Sequence, residues 1–155
     1  MARITHFDHT SFTVADIDRT VAFWRDVMGL TLDDLSPRTQ PWLGKVVGRP
    51  GATCRIAHMT GLGCHMEFIA YDAGFAGDNV FGAATRPGAA HVAFYTDDLR
   101  AMAARIVEAG GTMLGEITFC AAQGHNTDCL AAYVCDPEGI IIDLIEDLPA
   151  GGPAG

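Results

Sequence analysis

Ala89-Ala90-His91-Val92-Ala93-Phe94-Tyr95, followed by Thr96-Asp97-Asp98-Leu99, reads as a β-strand that runs into a helix N-cap. The pattern stands once before, 82 residues earlier, as Phe7-Asp8-His9-Thr10-Ser11-Phe12-Thr13 and Val14-Ala15-Asp16-Ile17. The same offset carries Asp98 onto Asp16, Leu99 onto Ile17, Gly111 onto Gly29 and Leu114 onto Leu32. Residues 7–32 and 89–114 therefore align without a gap as strand, acidic cap, amphipathic helix, glycine stop and next strand. A repeat longer than one helix points to a supersecondary unit used twice. In both copies a histidine sits near the start of the strand.

Each copy continues in a predictable way. In 7–14, Phe12 and Val14 take one face, and His9, Ser11 and Thr13 the other. Asp16 is an N-cap, with Ile17, Val21, Trp24 and Met28 on one helical side and Gly29 as the stop. Thr31 and Leu32 open a strand. The prolines and glycines of 33–53 predict a loop, with a short helical turn near Trp42 to Val47. Residues 54–59 are a strand, Gly61-Leu62-Gly63 a turn and 65–71 a strand with His65, Glu67, Ile69 and Tyr71 on one face. The connection 72–88 contains Phe75, Val80 and Phe81, which call for burial.

In the second copy Leu99, Met102, Ile106 and Val107 form the predicted buried stripe of a helix stopped by Gly110-Gly111. Residues 112–119 read as a strand, 120–129 as a polar loop holding His125 and 131–135 as a strand. Asp136-Pro137-Glu138-Gly139 is a tight turn, and 140–145 is the last strand, with Ile141, Asp143 and Ile145 on one face. The tail from Pro149 is expected to be flexible. The reading is an α+β chain acting as a single domain of two modules, about 5–72 and 88–147, with 148–155 as a disordered tail.

Composition narrows the function. Apolar residues make up 49% of the 155, enough for a well-buried core, and no run is long enough to span a membrane. No apolar run follows Met1-Ala2-Arg3-Ile4-Thr5, so no secretory leader is read and a cytoplasmic location is expected. A formal charge of −9 argues against nucleic acid and against anionic membranes, which need clustered Lys and Arg. The five cysteines (Cys54, Cys64, Cys120, Cys129 and Cys135) contain no CxxC pair and read as reduced, mostly buried thiols.

Two carboxylates join the two histidines. Met66-Glu67-Phe68-Ile69 and Ile142-Asp143-Leu144-Ile145 are matching contexts, each a charged residue amid apolar neighbours in the last strand of its module. Desolvating such a charge costs several kcal/mol, so it calls for a partner. If the halves pack about a pseudo-twofold, His9 and Glu67 come from one side and His91 and Asp143 from the other. Two imidazoles and two carboxylates suit a divalent metal: Zn, Ni, Co, Mn or Fe(II). His6, His58 and His125 read as hydrogen-bonded core histidines. His65 shares the Glu67 face and is either a substrate or supporting group or a cavity wall. Ser11, Thr13, Tyr71 and Tyr95 are expected to line the same cavity. Asp16, Asp97 and Asp98 are caps.

These segments resemble the vicinal oxygen chelate superfamily, which includes glyoxalase I, methylmalonyl-CoA epimerase, extradiol dioxygenases and the fosfomycin and bleomycin resistance proteins. The resemblance rests on Asp8-His9-Thr10, Phe23-Trp24-Arg25-Asp26-Val27-Met28-Gly29-Leu30, His65-Met66-Glu67, Ala90-His91-Val92-Ala93-Phe94 and Asp136-Pro137-Glu138-Gly139 running into Ile142-Asp143-Leu144-Ile145-Glu146. It implies two tandem βαβββ modules forming an open, curled mixed-sheet barrel around a metal, with the helices outside. It carries the family's ligand positions onto His9, Glu67, His91 and Asp143. The last of these is usually Glu. Asp143 is one methylene shorter, which leaves direct coordination, a bridging water and a three-ligand site open, with Glu146 as a backup ligand.

The implied activity is a metal-dependent isomerase or lyase of the glyoxalase or epimerase kind. Such an enzyme chelates a small-molecule substrate through vicinal oxygens and stabilises an enediolate, with Glu67 as catalytic base. Alternatives are an Fe(II) extradiol dioxygenase, whose facial triad is two His and a carboxylate, and a metal-free protein that sequesters a small molecule or antibiotic. A homodimer is expected from the resemblance alone.

Overall fold

A computed structural model describes residues 2–74, 83–122 and 127–149. The expected burial of Phe75, Val80 and Phe81, the loop position of His125 and the tail from residue 150 lie outside the described residues. The chain divides into two compact units, Met1–Asp78 and Asn79–Gly155. Both are mixed α+β, and each has its own open sheet. No helix among the described residues is long and apolar enough to cross a membrane.

The first unit runs β1 (Thr10–Thr13), α1 (Ile17–Asp26), β2 (Thr31–Arg38), α2 (Pro41–Val46), β3 (Cys54–Gly61) and β4 (Cys64–Tyr71). Its sheet order is β1-β4-β3-β2, with β1 parallel to β4 and the other pairs antiparallel. The Asp16 carboxylate accepts the Arg19 backbone N–H and starts α1, and Gly29 (φ 82°) ends the segment in the left-handed region. Ile17, Val21, Phe23, Trp24 and Met28 are buried, as the helical spacing predicts. Trp24 packs on Phe68 with ring centroids 5.2 Å apart, and Phe12 stacks over the same ring. One face of the sheet is thus apolar core, and the other carries His9, Ser11, His58, His65 and Glu67.

The predicted loop at 33–53 is partly wrong. Residues 33–38 continue β2, and α2 occupies the place of the expected helical turn. β2 is an edge strand, so Pro37 removes no ladder hydrogen bond that a second neighbour would need. A register shift between Leu32 and Asp34 absorbs the acidic pair. α2 buries Leu43 with Cys54 and Ile56, and Val47, Ile69 and Tyr71 pack against that cluster.

The second unit runs β5 (His91–Tyr95), α3 (Leu99–Glu108), β6 (Thr112–Met113), β7 (Thr118–Cys120), β8 (Cys129–Cys135) and β9 (Ile141–Asp147). β5 is parallel to β9, and the order is β5-β9-β8-β6 with β7 on the upper part of β8. The single strand predicted over 112–119 is therefore two short ones. Both pair with β8, and the break between them falls at 114–117. The helical stripe also needs correcting. Val107 is exposed and Ala103 is buried in its place, because Leu99, Ala103 and Ile106 follow the i, i+4, i+7 line. Gly111 is required by contact: a Cβ there would lie 2.4 Å from the Cys135 carbonyl oxygen. The 136–139 turn closes with the Gly139 N–H donating to the Asp136 carbonyl at 2.9 Å. The Asp136 carboxylate accepts the Glu138 and Ile140 backbone N–H groups.

Candidate functional site

The strand registers place the four expected donors in equivalent positions. In the first unit Ser11 pairs with Glu67, and His9 stands two residues before Ser11 on the same face. In the second unit Ala93 pairs with Asp143, and His91 stands two residues before Ala93. The internal repeat is thus a repeat of register as well as of sequence. Position for position, the antiparallel neighbour of Glu67 is His58 and that of Asp143 is Tyr133.

Glu67 collects imidazoles. His9 Nε2 lies 3.3 Å from one carboxylate oxygen, and His58 Nε2 lies 3.6 Å from the other. His58 Nδ1 and His65 Nε2 are 3.1 Å apart, and the His9 and His65 rings meet edge-on at 5.5 Å. His9 Nδ1 bonds Asp8 Oδ2 at 2.7 Å, an arrangement that fixes a ring orientation. That bond, before any other influence, holds the Asp8 carboxyl below its usual range. Donor atoms of Asp8, His9 and His65 lie within 4.8 Å of one another. The first unit therefore gathers three histidines and two carboxylates on one sheet face.

Two of these residues were missed by sequence reasoning. His58 was read as a hydrogen-bonded core histidine and Asp8 was given no role. The signal for His58 was present. A hairpin turning at Leu62-Gly63 pairs Gly61 with Cys64, and counting back along both strands sets His58 against Glu67.

The second unit offers fewer bases and a deeper carboxylate. His91 lies against Tyr133 with ring centroids 5.1 Å apart. Asp143 Oδ1 is buried and lacks a hydrogen-bond partner. Burial raises the Asp143 carboxyl above its ordinary pKa, and the nearby His91 only partly offsets this. Asp143, Tyr133, Ala131, Leu114 and Glu116 line an open cleft of about 740 Å³. Tyr133 is another residue that sequence reasoning did not place at the site. Glu146, held as a backup ligand, is engaged elsewhere: its carboxylate accepts the Leu99 N–H at 2.8 Å and so helps cap α3.

The remaining expected residues divide by position. Ser11 is beside Glu67 in register, and His65 is in the imidazole group. Tyr71 packs with Cys54 and Ile56 beneath α2, four pairs along the strand from Glu67. Tyr95 is largely exposed and lines a smaller cavity that Asp143 also reaches. Imidazole nitrogens and carboxylate oxygens are the donors that first-row divalent metals take. The orphaned Asp143 oxygen is a buried anionic atom that a cation or a proton would satisfy. The residues present therefore fit a divalent metal.

Comparison with known proteins agrees with the fold. Residues 6–144 match the family described as the Glyoxalase/Bleomycin resistance protein/Dioxygenase superfamily. A lactoylglutathione lyase of Haemophilus influenzae is 26% identical over 144 residues, 90% of each chain. A probable lactoylglutathione lyase of Vibrio cholerae is 27% identical, over 92% of this chain and 91% of that one. The crystal structure of a glyoxalase family protein from Bacillus cereus superposes with a TM-score of 0.80 at 24% identity, covering 96% of this chain and 97% of that one. With its two strand–helix–sheet units and a family match that spans both, the chain belongs to the glyoxalase/bleomycin resistance protein/dioxygenase superfamily.

Proposed function

We propose that the protein is a divalent-metal-dependent lyase or isomerase that moves a proton on a small substrate bearing two neighbouring oxygens. The observation that carries this reading is the equivalent placement of His9 with Glu67 and His91 with Asp143, together with the unpartnered buried oxygen of Asp143. His9, Glu67, His91 and Asp143 are the proposed ligands. A bound divalent ion supplies Lewis-acid stabilisation of negative charge on substrate oxygen.

The chain's own residues do the rest. Glu67 is the general base: its carboxylate takes the proton from the substrate carbon next to the oxygens and returns it to the neighbouring carbon. His58 and His9 flank that carboxylate on opposite oxygens and orient it. Asp8 fixes the His9 ring. Ser11 and His65 stand on the same face, within reach of a substrate there. In the second unit Tyr133 and Asp143 border a cleft of their own. The substrate class we assign is a thioester of lactate with glutathione, the class in the names of the two curated relatives.

A second reading has one specific observation behind it. His9, His58 and Glu67 alone make a two-histidine, one-carboxylate set, the donor pattern of Fe(II) oxygenases. Elemental analysis of purified protein with Glu67→Ala and His91→Ala beside it tests both readings. Stoichiometric Zn, Ni, Co or Mn, lost in both variants, together with solvent deuterium in the product, supports the lyase or isomerase. Iron with oxygen uptake supports the oxygenase. A wild-type chain that takes up no divalent metal overturns both.

A further inference from the structure

The cysteines of the second unit are not all alike. β7 and β8 pair antiparallel with Thr118 opposite Ala131, Phe119 opposite Leu130 and Cys120 opposite Cys129. Directly opposed residues of an antiparallel pair have Cα atoms about 4.5–5.5 Å apart, inside the roughly 4.4–6.8 Å that a disulfide spans. The two thiols also meet. Burial raises the Cys129 thiol first, and the charge and the hydrogen bond of the neighbouring Cys120 sulfur raise it further. Their solvent access differs: Cys120 is exposed and Cys129 is buried. Both face a small cavity of about 140 Å³ whose wall includes Ala131, Ile145 and Asp143. No other two cysteines pair in register among the described residues.

We propose that Cys120 and Cys129 form a redox-modification site, a cross-strand dithiol that closes to a disulfide by exchange with a small disulfide such as glutathione disulfide. The exposed Cys120 attacks as thiolate. One sulfur of the small disulfide bonds to Cys120, and the other leaves as a thiolate and takes a proton. Cys129, deprotonated as it approaches, then displaces the bound small thiol and forms the Cys120–Cys129 bond. The protein loses two protons and two electrons, and one small disulfide takes them up to become two small thiols. Exposure selects Cys120 as the entry point, and register selects Cys129 as the resolving thiol. The closed form ties β7 to β8 at the end of the face that carries Asp143.

The test uses the full chain equilibrated across a glutathione/glutathione-disulfide series, quenched by alkylation and read by intact mass and peptide mapping. The expected product has lost two hydrogens and has three alkylatable thiols in place of five, with the bond mapped to Cys120–Cys129. Cys129→Ser is expected to stop at a glutathione adduct on Cys120, and Cys120→Ser to remain unmodified at Cys129. A wild type that accumulates only the Cys120 adduct, forms a bond between another pair or stays fully reduced overturns the proposal. Circular dichroism of both variants separates a lost bond from a lost fold.

Discussion

Asp143 and Glu67 occupy matching positions, yet their surroundings differ in kind. Glu67 is flanked by imidazoles, whereas one oxygen of Asp143 is buried with no hydrogen-bond partner. Removing that charge should help the metal-free fold and harm metal binding. Asp143→Asn is expected to raise the stability of chelator-treated protein by about 1–2 kcal/mol, read from urea unfolding. The same variant should lose the stabilisation that added divalent metal gives the wild type. His58→Ala leaves the proposed ligands in place but removes the group beside Glu67, and a supporting role predicts metal affinity about 10–100-fold weaker by competition with a chelating dye. Unchanged affinity would remove His58 from the site. At this scale the histidines and carboxylates that recur in the repeat were legible as residues. His58 was legible only by counting back from the hairpin turn that sets it against Glu67, and Tyr133 was not, because it reaches the site only through the pairing of neighbouring strands.

The helices and strands carry their own predictions. Asp16→Ala removes the acceptor for the Arg19 N–H and should cost about 1 kcal/mol, with the midpoint of denaturation lowered and its slope unchanged. Gly111→Ala is expected to be far worse, because the added carbon meets backbone oxygen that cannot step aside; loss of soluble, folded protein would show it. α1 is tied to β3 by the two-point Arg55–Asp18 pair at 2.7 and 2.9 Å. The Arg55 hydrogen bond holds the Asp18 carboxyl below its ordinary range. The pair's contribution is therefore fully present above the ordinary carboxylate pKa and disappears as pH falls through the depressed one. Both side chains are well exposed, so the effect is small. Stability measured from pH 6 down to about pH 2 should fall slightly less steeply in Arg55→Met than in the wild type.

Most element types were readable from the sequence because apolar spacing and caps agreed. Residues 33–38 were not, since Asp33, Asp34 and Pro37 argue against a strand that only an edge position permits. Val107 and Ala103 are adjacent candidates for one stripe, and bulk favoured the wrong one.

For the molecule as a whole, the legible part was the doubling. An offset in sequence became two units with the same first-to-last strand pairing, and the family match spans both. The extra strand break in the second unit was not legible, because 114–117 carry no strong turn signal beyond Gly115. The distribution of thiols yields a check on the entire chain. Cys54, Cys129 and Cys135 are buried, and burial raises each of these thiols. Only Cys120 is exposed. Reaction of the reduced native protein with an aromatic disulfide reagent should release two equivalents of the aromatic thiol quickly, one in Cys129→Ser and none in Cys120→Ser, with Cys54 and Cys135 reacting only as the chain unfolds.

The parallel pairing of each unit's first strand with its last has a consequence for the order of events during synthesis. Thr10 finds its partner at Met66, and His91 finds its own at Ile141. At roughly 5–20 residues per second, β1 waits several seconds on the ribosome before β4 exists to receive it. His9 and Glu67 thus meet in the same act that completes the first sheet, and a nascent chain halted before Glu67 holds neither a finished sheet nor the histidine–glutamate pair.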